Sequence, residues 1–471
     1  MSLARLSDED ARILALESPT IAGHMCKLLI LERSRGTEPI TAEALRRHVG
    51  GRLSEAPRLA QRLAPTPLGI ANPVWVDDPR FDIANHIRRV ETDGPIDRDG
   101  LIEIAAVLMA QRLERSRPLW AIDLVERLAD GRAALIWRVH HAMADGLTAF
   151  RLGSAAIWDT EPGDVGKECE EWLPEAAPSP LTLAALGARE RVARLAGEAR
   201  GAAVVLRSPR RLGSLVGAAA RMPAVVAREL RPGAARTALD KPASGGRVMA
   251  TAAVSLEELK RIEHSLGEGV TVNDVVLAAV GGGLRRWLEH RGEALSGVRA
   301  KVPASLHRQD AAPDSLGNHD SFMFVDLAVS DSDPVERLIE INRETRTRKL
   351  HRDPEVLYDF FRDVHAVARP LEHMASRWSM SPRLFALNIS NCPGPATPIF
   401  VAGHEVGEFY SFAEIADRHG LRVAAVSVSG TVSIGLCADR AVAPDLAVLA
   451  AGIEAELAAL SAVAGSAKTG Q

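Results

Sequence analysis

Short apolar runs of strand length alternate along this chain with stretches whose apolar positions recur every three to four residues. The segments HMCKLLILE (His24–Glu32) and AALIWRVHHA (Ala133–Ala142) are of the first kind and predict buried strands. Asp97–Leu113 and Asp145–Asp159 are of the second kind and predict helices. Asp145 is placed to accept from the free backbone amides of its helix. The second half restarts with a strand and a helix in RVMATAAVSLEELKRIEHSLG, with Ser255 and Glu258 spaced as a capping box. A long helix follows over Thr271–Gly292, opened by Asn273 and Asp274. Then come strand-like FMFVDLAV and FALNIS, and a hairpin, LRVAAVSVSGTVSIGLCAD, turning at Ser429–Gly430. A final helix, APDLAVLAAGIEAELAALSAV, precedes a polar tail. Strands and helices alternate in both halves, which predicts an α/β chain of two related domains.

Between Thr160 and about Gly246 this rhythm breaks. TEPGDVGKECEEWLPEAAPSP is rich in Pro, Gly and acidic residues and reads as loop. Arg189–Arg236 then carries 11 Arg and 3 Glu, with no Lys or Asp, so its net charge is +8 in a chain whose total is −4. Its Ala, Val and Leu residues fall at loosely helical intervals, interrupted by Pro209, Pro223 and Pro232. Two readings stand: a solvated inter-domain helix pair, or a basic amphipathic surface for anionic lipid. The expected organisation is a first domain over 1–165, a Pro/Arg-rich helical linker over 166–245, a second domain over 246–465 and a disordered tail over 466–471.

Length and composition fit this picture. At 471 residues the chain suits two domains, and 46% hydrophobic with 25% charged residues suits a globular core. The four cysteines, Cys26, Cys169, Cys392 and Cys437, form no CxxC pair, which points to reduced thiols in a cytoplasm. The N-terminal stretch is too acidic for a signal peptide, and no apolar run is expected to span a bilayer. Any membrane contact is expected to be peripheral.

The candidate chemistry lies in RVHHAMADG, Arg138–Gly146. Neighbouring side chains on a strand face opposite ways, so His140 and His141 divide into one structural ring and one ring free to project at the strand's end. Metal binding fits poorly, because no third ligand sits at usable spacing. Two structural histidines remain possible. A general base fits better, since a neutral imidazole can take a proton from a hydroxyl attacking a carbonyl. There is no GxSxG elbow, no GxxxxGK[ST] loop and no GxGxxG after a strand. The Gly281–Gly283 run lies inside an apolar helix, where close packing is its better explanation. Direct acyl transfer therefore leads over covalent or nucleotide chemistry.

HHAMADG resembles the HHxxxDG motif of the acyltransferase superfamily that includes chloramphenicol acetyltransferase and peptide-synthetase condensation domains. The N-terminal LSDEDARILALESPTIAGHMCKLLILE narrows the resemblance to the bacterial wax ester synthase/diacylglycerol acyltransferase family. FDIANHI, RPLWAIDLVERLADGRAAL, TVNDVVLA, VPASLHR, LGNHDSFMFVDL and NISNCPGP also resemble that family's motifs, in its order and nearly end to end. The chain departs from the family pattern at Cys392, where small apolar residues are usual, and in AVSVSG, which lacks a Tyr-Asn pair.

The resemblance implies an α/β fold of two chloramphenicol-acetyltransferase-like domains, mixed sheets flanked by helices, with a substrate channel between them. It implies His141 as general base, His140 as support, Asp145 as a structural ion-pair partner and Gly146 as space for approach. Pro118, Leu119, Trp120, Asn273, Asp274, Asn318, Ser321 and Asn391 fall in motifs implied to bind substrate. Asn273 is a candidate donor near the reaction centre, or else a helix cap. The implied activity transfers a fatty acyl group from acyl-CoA to diacylglycerol or a long-chain alcohol, with no cofactor and no metal. A carrier-protein-bound donor, or a non-catalytic lipid-droplet-binding role, is the alternative. The expected location is cytoplasmic, peripheral to a membrane face or lipid droplets, with Arg189–Arg236 as the contact.

Overall fold

A computed structural model describes residues 4–33, 39–162, 172–207, 237–305, 320–351 and 380–468. The chain divides into two compact units that interleave along the sequence. Unit 1 comprises 1–184, 242–256 and 391–447, and unit 2 comprises 185–241, 257–390 and 448–471. These differ from the contiguous blocks read from composition, because strand pairing brings 391–447 back to the first strands of the chain.

Unit 1 is built on a mixed sheet whose strand order is β11-β12-β1-β6-β5-β4. Its members are β1 (His24–Leu31), β4 (Ile87–Arg89), β5 (Trp120–Val125), β6 (Ala133–His140), β11 (Phe400–Val401) and β12 (His404–Ala413). All eight residues of β1 and of β6 are buried, the pattern of strands covered on both faces. Central β1 lies antiparallel to β6, with His24 opposite His140. On its other side it lies antiparallel to β12, with Lys27 opposite Ser411. One face of β1 points Met25, Leu29 and Leu31 into a core shared with Trp137, Trp158 and Phe409. The other points Cys26, Leu28 and Ile30 into a core with Leu101, Met249 and Phe412.

Helices α1 (Asp8–Ala15), α2 (Ala42–Gly50), α3 (Arg98–Met109) and α4 (Gly146–Ala156) belong to this unit, as does the small pair β2 (Gln61–Ala64) and β3 (Val74–Asp77). α3 and α4 begin as the sequence predicts: Asp97 accepts from Gly100 N and Asp145 from Thr148 N. A further layer, β7 (Arg247–Ser255), β14 (Thr431–Asp439) and β13 (Leu421–Val428), is antiparallel throughout. The predicted hairpin turns at Ser429 (φ 48°) and Gly430 (φ 79°), the left-handed pair of a two-residue turn. Gly435 on β14 lets the backbone close on β12; a Cβ there would lie 2.1 Å from the Ser411 carbonyl oxygen.

α5 (Pro180–Arg207) leads from unit 1 into unit 2. Unit 2 contains α6 (Leu256–Ser265), α7 (Val272–His290), β8 (Arg299–Ser305), β9 (Asp320–Asp326), α8 (Pro334–His351), most of β10 (Leu387–Pro393) and most of α9 (Leu446–Lys468). β8 pairs antiparallel with β9 and parallel with β10. The glycine run is a packing device, as the sequence suggested. A Cβ would meet the Leu327 carbonyl oxygen at 2.4 Å from Gly281, Glu456 at 2.2 Å from Gly282 and Ile453 at 2.6 Å from Gly283.

Over Leu446–Ser466, α9 is by length and composition alone long and apolar enough to cross a membrane. Yet Leu449, Ile453, Leu457 and Leu460 are buried, and Glu456 is buried in an ion pair with Arg337. Those are the marks of a core helix.

Candidate active site

The two histidines separate as strand geometry requires. His140, the last residue of β6, is fully buried. Its Nδ1 accepts from the Ala142 amide at 3.0 Å, which puts the ring proton on Nε2, and Nε2 lies 2.7 Å from Glu17 Oε1. Glu17 is itself held by Arg115, whose Nε donates to Oε2 at 2.9 Å. Burial raises the Glu17 carboxyl, but His140 and Arg115 outweigh it and hold the group below its usual range. The backbone amide of His140 donates to the Leu119 carbonyl at 2.9 Å. His140 is thus fixed at Nδ1 and at its backbone, with Nε2 in close contact with the Glu17 carboxylate.

His141 sits one residue beyond the strand and is only half-buried as a residue, but its Nε2 is shut off from solvent and has no hydrogen-bond partner among the described residues. Its amide donates to the Gly23 carbonyl at 3.0 Å. Burial, then the positive charge of Arg422, then His140, Lys27 and His24, hold its pKa well below the ordinary histidine value. The ring is therefore neutral at physiological pH and able to accept a proton.

Asp145 is the N-cap of α4, its Oδ1 accepting from Thr148 N at 2.6 Å. Among the described residues it forms no ion pair, and its observed role is that of a cap. The nearby cation is Lys27. That lysine is buried on β1, donates to Ser411 Oγ at 2.7 Å and lies 5.3 Å from the centre of the Phe150 ring. Burial lowers its pKa to about 8. Gly146 borders the site as well; a Cβ there would come 3.9 Å from the Cys392 thiol.

Pro118, Leu119 and Trp120 support the motif from behind. Leu119 carries the carbonyl that holds His140, and Trp120 donates from Nε1 to Leu59 O at 2.6 Å and stacks on His86. Both side chains are fully buried. Asn391 is exposed on β10. Asn318 lies outside the described residues, and Ser321 stands on β9 opposite Ala304.

Asp274, in unit 2, is completely committed. Its Oδ2 accepts from Thr271 N, Thr271 Oγ1 and Asn342 Nδ2, and its Oδ1 from Thr345 Oγ1. It ties the start of α7 to α8. The cap of α7 is Thr271 rather than Asn273, which is half-buried on the first turn.

Several residues of the site escaped sequence reasoning: Gly23, Glu17 and Arg115, Lys27, and a group around Arg247. Arg247 donates to Glu414 Oε1 at 2.8 Å and to Thr20 O at 2.6 Å, while Glu414 Oε2 accepts from Ala22 N at 3.0 Å. This pair clamps the 20–22 segment that presents Gly23 to His141. A lone lysine in the apolar run HMCKLLILE was the one visible signal among them.

Comparison with known proteins places these features in a family. The model of the wax ester synthase/diacylglycerol acyltransferase catalytic domain matches residues 6–276, and that of the family's C-terminal domain matches residues 316–461. The chain belongs to the wax ester synthase/diacylglycerol acyltransferase family. It is 30% identical over 429 residues to a Mycobacterium tuberculosis protein named as a probable diacylglycerol O-acyltransferase, covering 89% of this chain and 88% of that one. Its fold resembles that of a wax ester synthase/diacylglycerol acyltransferase from Marinobacter aquaeolei, with a TM-score of 0.68, 22% identity and coverage of 98% of this chain and 100% of the other. The first condensation domain of the calcium-dependent antibiotic synthetase shares the fold more distantly, at a TM-score of 0.56 and 16% identity over 98% of this chain and 97% of that one. The α/β fold with helix-flanked mixed sheets that the sequence implied is the fold found.

Proposed function

We propose that this protein transfers a fatty acyl group from acyl-CoA to the hydroxyl of a hydrophobic alcohol. Diacylglycerol, giving triacylglycerol, is the leading acceptor, and a long-chain alcohol, giving a wax ester, comes next. The observation that carries this reading is the His141 ring, clamped by its backbone amide and holding one dry nitrogen with no hydrogen-bond partner among the described residues, in surroundings whose burial and positive charge favour its neutral form. An alcohol is a weak nucleophile at its own pKa and gains most from a positioned base. His141 Nε2 takes the hydroxyl proton as the oxygen adds to the thioester carbonyl, and returns it to the departing CoA sulfur. The step uses neither a metal nor a covalent intermediate on the protein. His140, fixed by Glu17 and the Leu119 carbonyl, holds the backbone from which His141 projects.

The test is radiolabelled palmitoyl-CoA, without any carrier protein, offered diacylglycerol, hexadecanol or water. Wild type should form ester with an alcohol and His141→Ala should not. Equal product from both proteins rejects the mechanism, and turnover only after a carrier protein is added favours a carrier-bound donor.

A peripheral lipid contact through the basic segment belongs to the same reading. On α5, Leu181, Ala185, Ala188, Val192 and Leu195 recur at helical spacing and are exposed, and Arg189 and Arg191 are exposed beside them. An apolar stripe edged by arginine suits an anionic interface. Flotation with anionic liposomes should be strong at low salt and weak at high salt; absence of binding at both removes the idea.

A further inference from the structure

The base in this site is dry and unbonded, and several buried polar atoms around it share that condition, among them both ring nitrogens of His24 and the Nε of Arg422. Of these two residues, Arg422 is the one that carries a positive charge able to meet an oxyanion. Arg422, the second residue of β13, has an Nε–H sealed from solvent with no hydrogen-bond partner. Among the described residues its guanidinium makes one hydrogen bond, from Nη1 to the Glu414 carbonyl at 3.4 Å. Its strand partner is Cys437, whose thiol lies in an apolar core with Cys26, Met249 and Phe412. The carboxylate of Glu414 gives it no partner either, being committed to Arg247 and to the Ala22 amide.

The same short chain of contacts leads to the base. Arg422 touches Glu414, Glu414 holds Ala22, and the next residue, Gly23, receives the His141 amide. A guanidinium N–H kept from water and left unbonded in the free protein is a cost that a bound acceptor offsets.

We infer that Arg422 is a second catalytic group of this centre, donating its Nε–H to the carbonyl oxygen of the acyl donor. The inference rests on the acyl-transfer reading above. As the alcohol oxygen bonds to the carbonyl carbon, its proton passes to His141 Nε2, and the carbonyl π pair moves onto oxygen. Arg422 donates to that oxyanion. When the pair returns to re-form C=O, the carbon–sulfur bond breaks, and the thiolate takes the proton back from His141. A fixed donor aimed at developing charge in a dry site is the strongest use a buried arginine finds in such a reaction. The arrangement also keeps His141 unprotonated. The charged and titratable groups facing that ring are Arg422 on β13, His140 beside it, and Lys27 and His24 on β1.

Two variants test this, Arg422→Gln and Arg422→Lys, assayed as purified full-length protein with palmitoyl-CoA and the accepting alcohol. Loss of one oxyanion donor predicts a fall in kcat of about 10²–10³-fold in both, with KM for the acyl donor nearly unchanged. Loss of the charge predicts that the acid limb of kcat/KM moves to higher pH in Arg422→Gln and stays in place in Arg422→Lys, a readout that a packing role does not move. The His141 imidazole, followed by NMR titration, should shift in the same direction and needs no turnover. If Arg422→Gln fails to fold, the kcat of Arg422→Lys decides alone. Wild-type kcat in either folded variant, or an unmoved His141 titration in Arg422→Gln, overturns the inference while leaving the acyl-transfer reading intact. A wild type that makes no ester overturns that reading first, before any variant is measured.

Discussion

Gly23 holds His141 by its carbonyl and makes room for His140 by having no side chain. The Gly23 carbonyl oxygen lies 3.0 Å from the His141 amide, and a Cβ on Gly23 would lie 2.7 Å from His140 Nε2. Its φ of +72° is the left-handed region that glycine enters most cheaply. Gly23→Ala should therefore cost about 1–3 kcal/mol of stability through strain and clash, and lower kcat at least about tenfold by displacing the ring. Denaturant melts and steady-state kinetics check both. Wild-type kcat in the variant would show that the carbonyl does not position the base.

Glu17→Gln removes the charge opposite His140 Nε2 while keeping the shape. Ester formation should fall about tenfold or more, with KM little changed, because the loss falls on positioning. The folded-state pKa of Glu17 lies below the ordinary 4.5, so its stabilising contribution is complete above that value and lost as pH falls through the lower one. The stability gap between wild type and variant should accordingly narrow below pH 4.5.

Asp145 distinguishes a cap from an ion pair. Asn caps a helix as well as Asp does, so Asp145→Asn should keep stability within about 0.5 kcal/mol, whereas Asp145→Ala should lose about 1 kcal/mol. Thermal melts of the two proteins settle the comparison. A large loss in the Asn variant would mean that the charge matters as such.

Lys27→Met keeps the aliphatic stem and removes a buried cation. The folded-state pKa is lowered from 10.5 to about 8, so burial of the charged form opposes folding at pH 7 by roughly 3 kcal/mol. That penalty is fully present below pH 8 and relieved as pH rises towards 10.5. The variant should be the more stable protein at pH 7 by about 1–3 kcal/mol, with its advantage shrinking in alkaline buffer. Denaturation midpoints at pH 7 and pH 10 read this out.

On α5, a double change Val192→Asp and Leu195→Asp places two acids in the exposed stripe. Both residues face solvent, at 67% and 57% exposure, so the melting temperature should hardly move while liposome binding at low salt drops at least about tenfold. Unchanged flotation would separate lipid binding from this helix.

What the sequence made legible was local. The strand ending at His140, the helix capped by Asp145, the hairpin at Ser429–Gly430 and the packing glycines of α7 each follow from a few neighbouring residues. The second layer around the histidines was illegible because its members meet only through the fold. Glu17 reaches His140 across more than a hundred residues, and Glu414 reaches Ala22 across 392. β12 went unseen because Glu405, Gly407 and Glu408 break its apolar pattern, although its last five residues are buried. The bonds from Asp274 to α8 were illegible for another reason: an Asn-Asp pair at a helix start looks alike whether it serves a ligand or a neighbouring helix.

The pairing of Lys27 with Ser411 spans 384 residues, and the whole edge between β1 and β12 is equally remote. During synthesis one side of β1 has no partner until β12, some 384 residues further on, has left the ribosome, which leaves a bare apolar ribbon open to wrong partners. Fragments truncated before residue 391 inherit that ribbon permanently and should be recovered as aggregates. Its maturation in the cell is therefore paced by the arrival of β12.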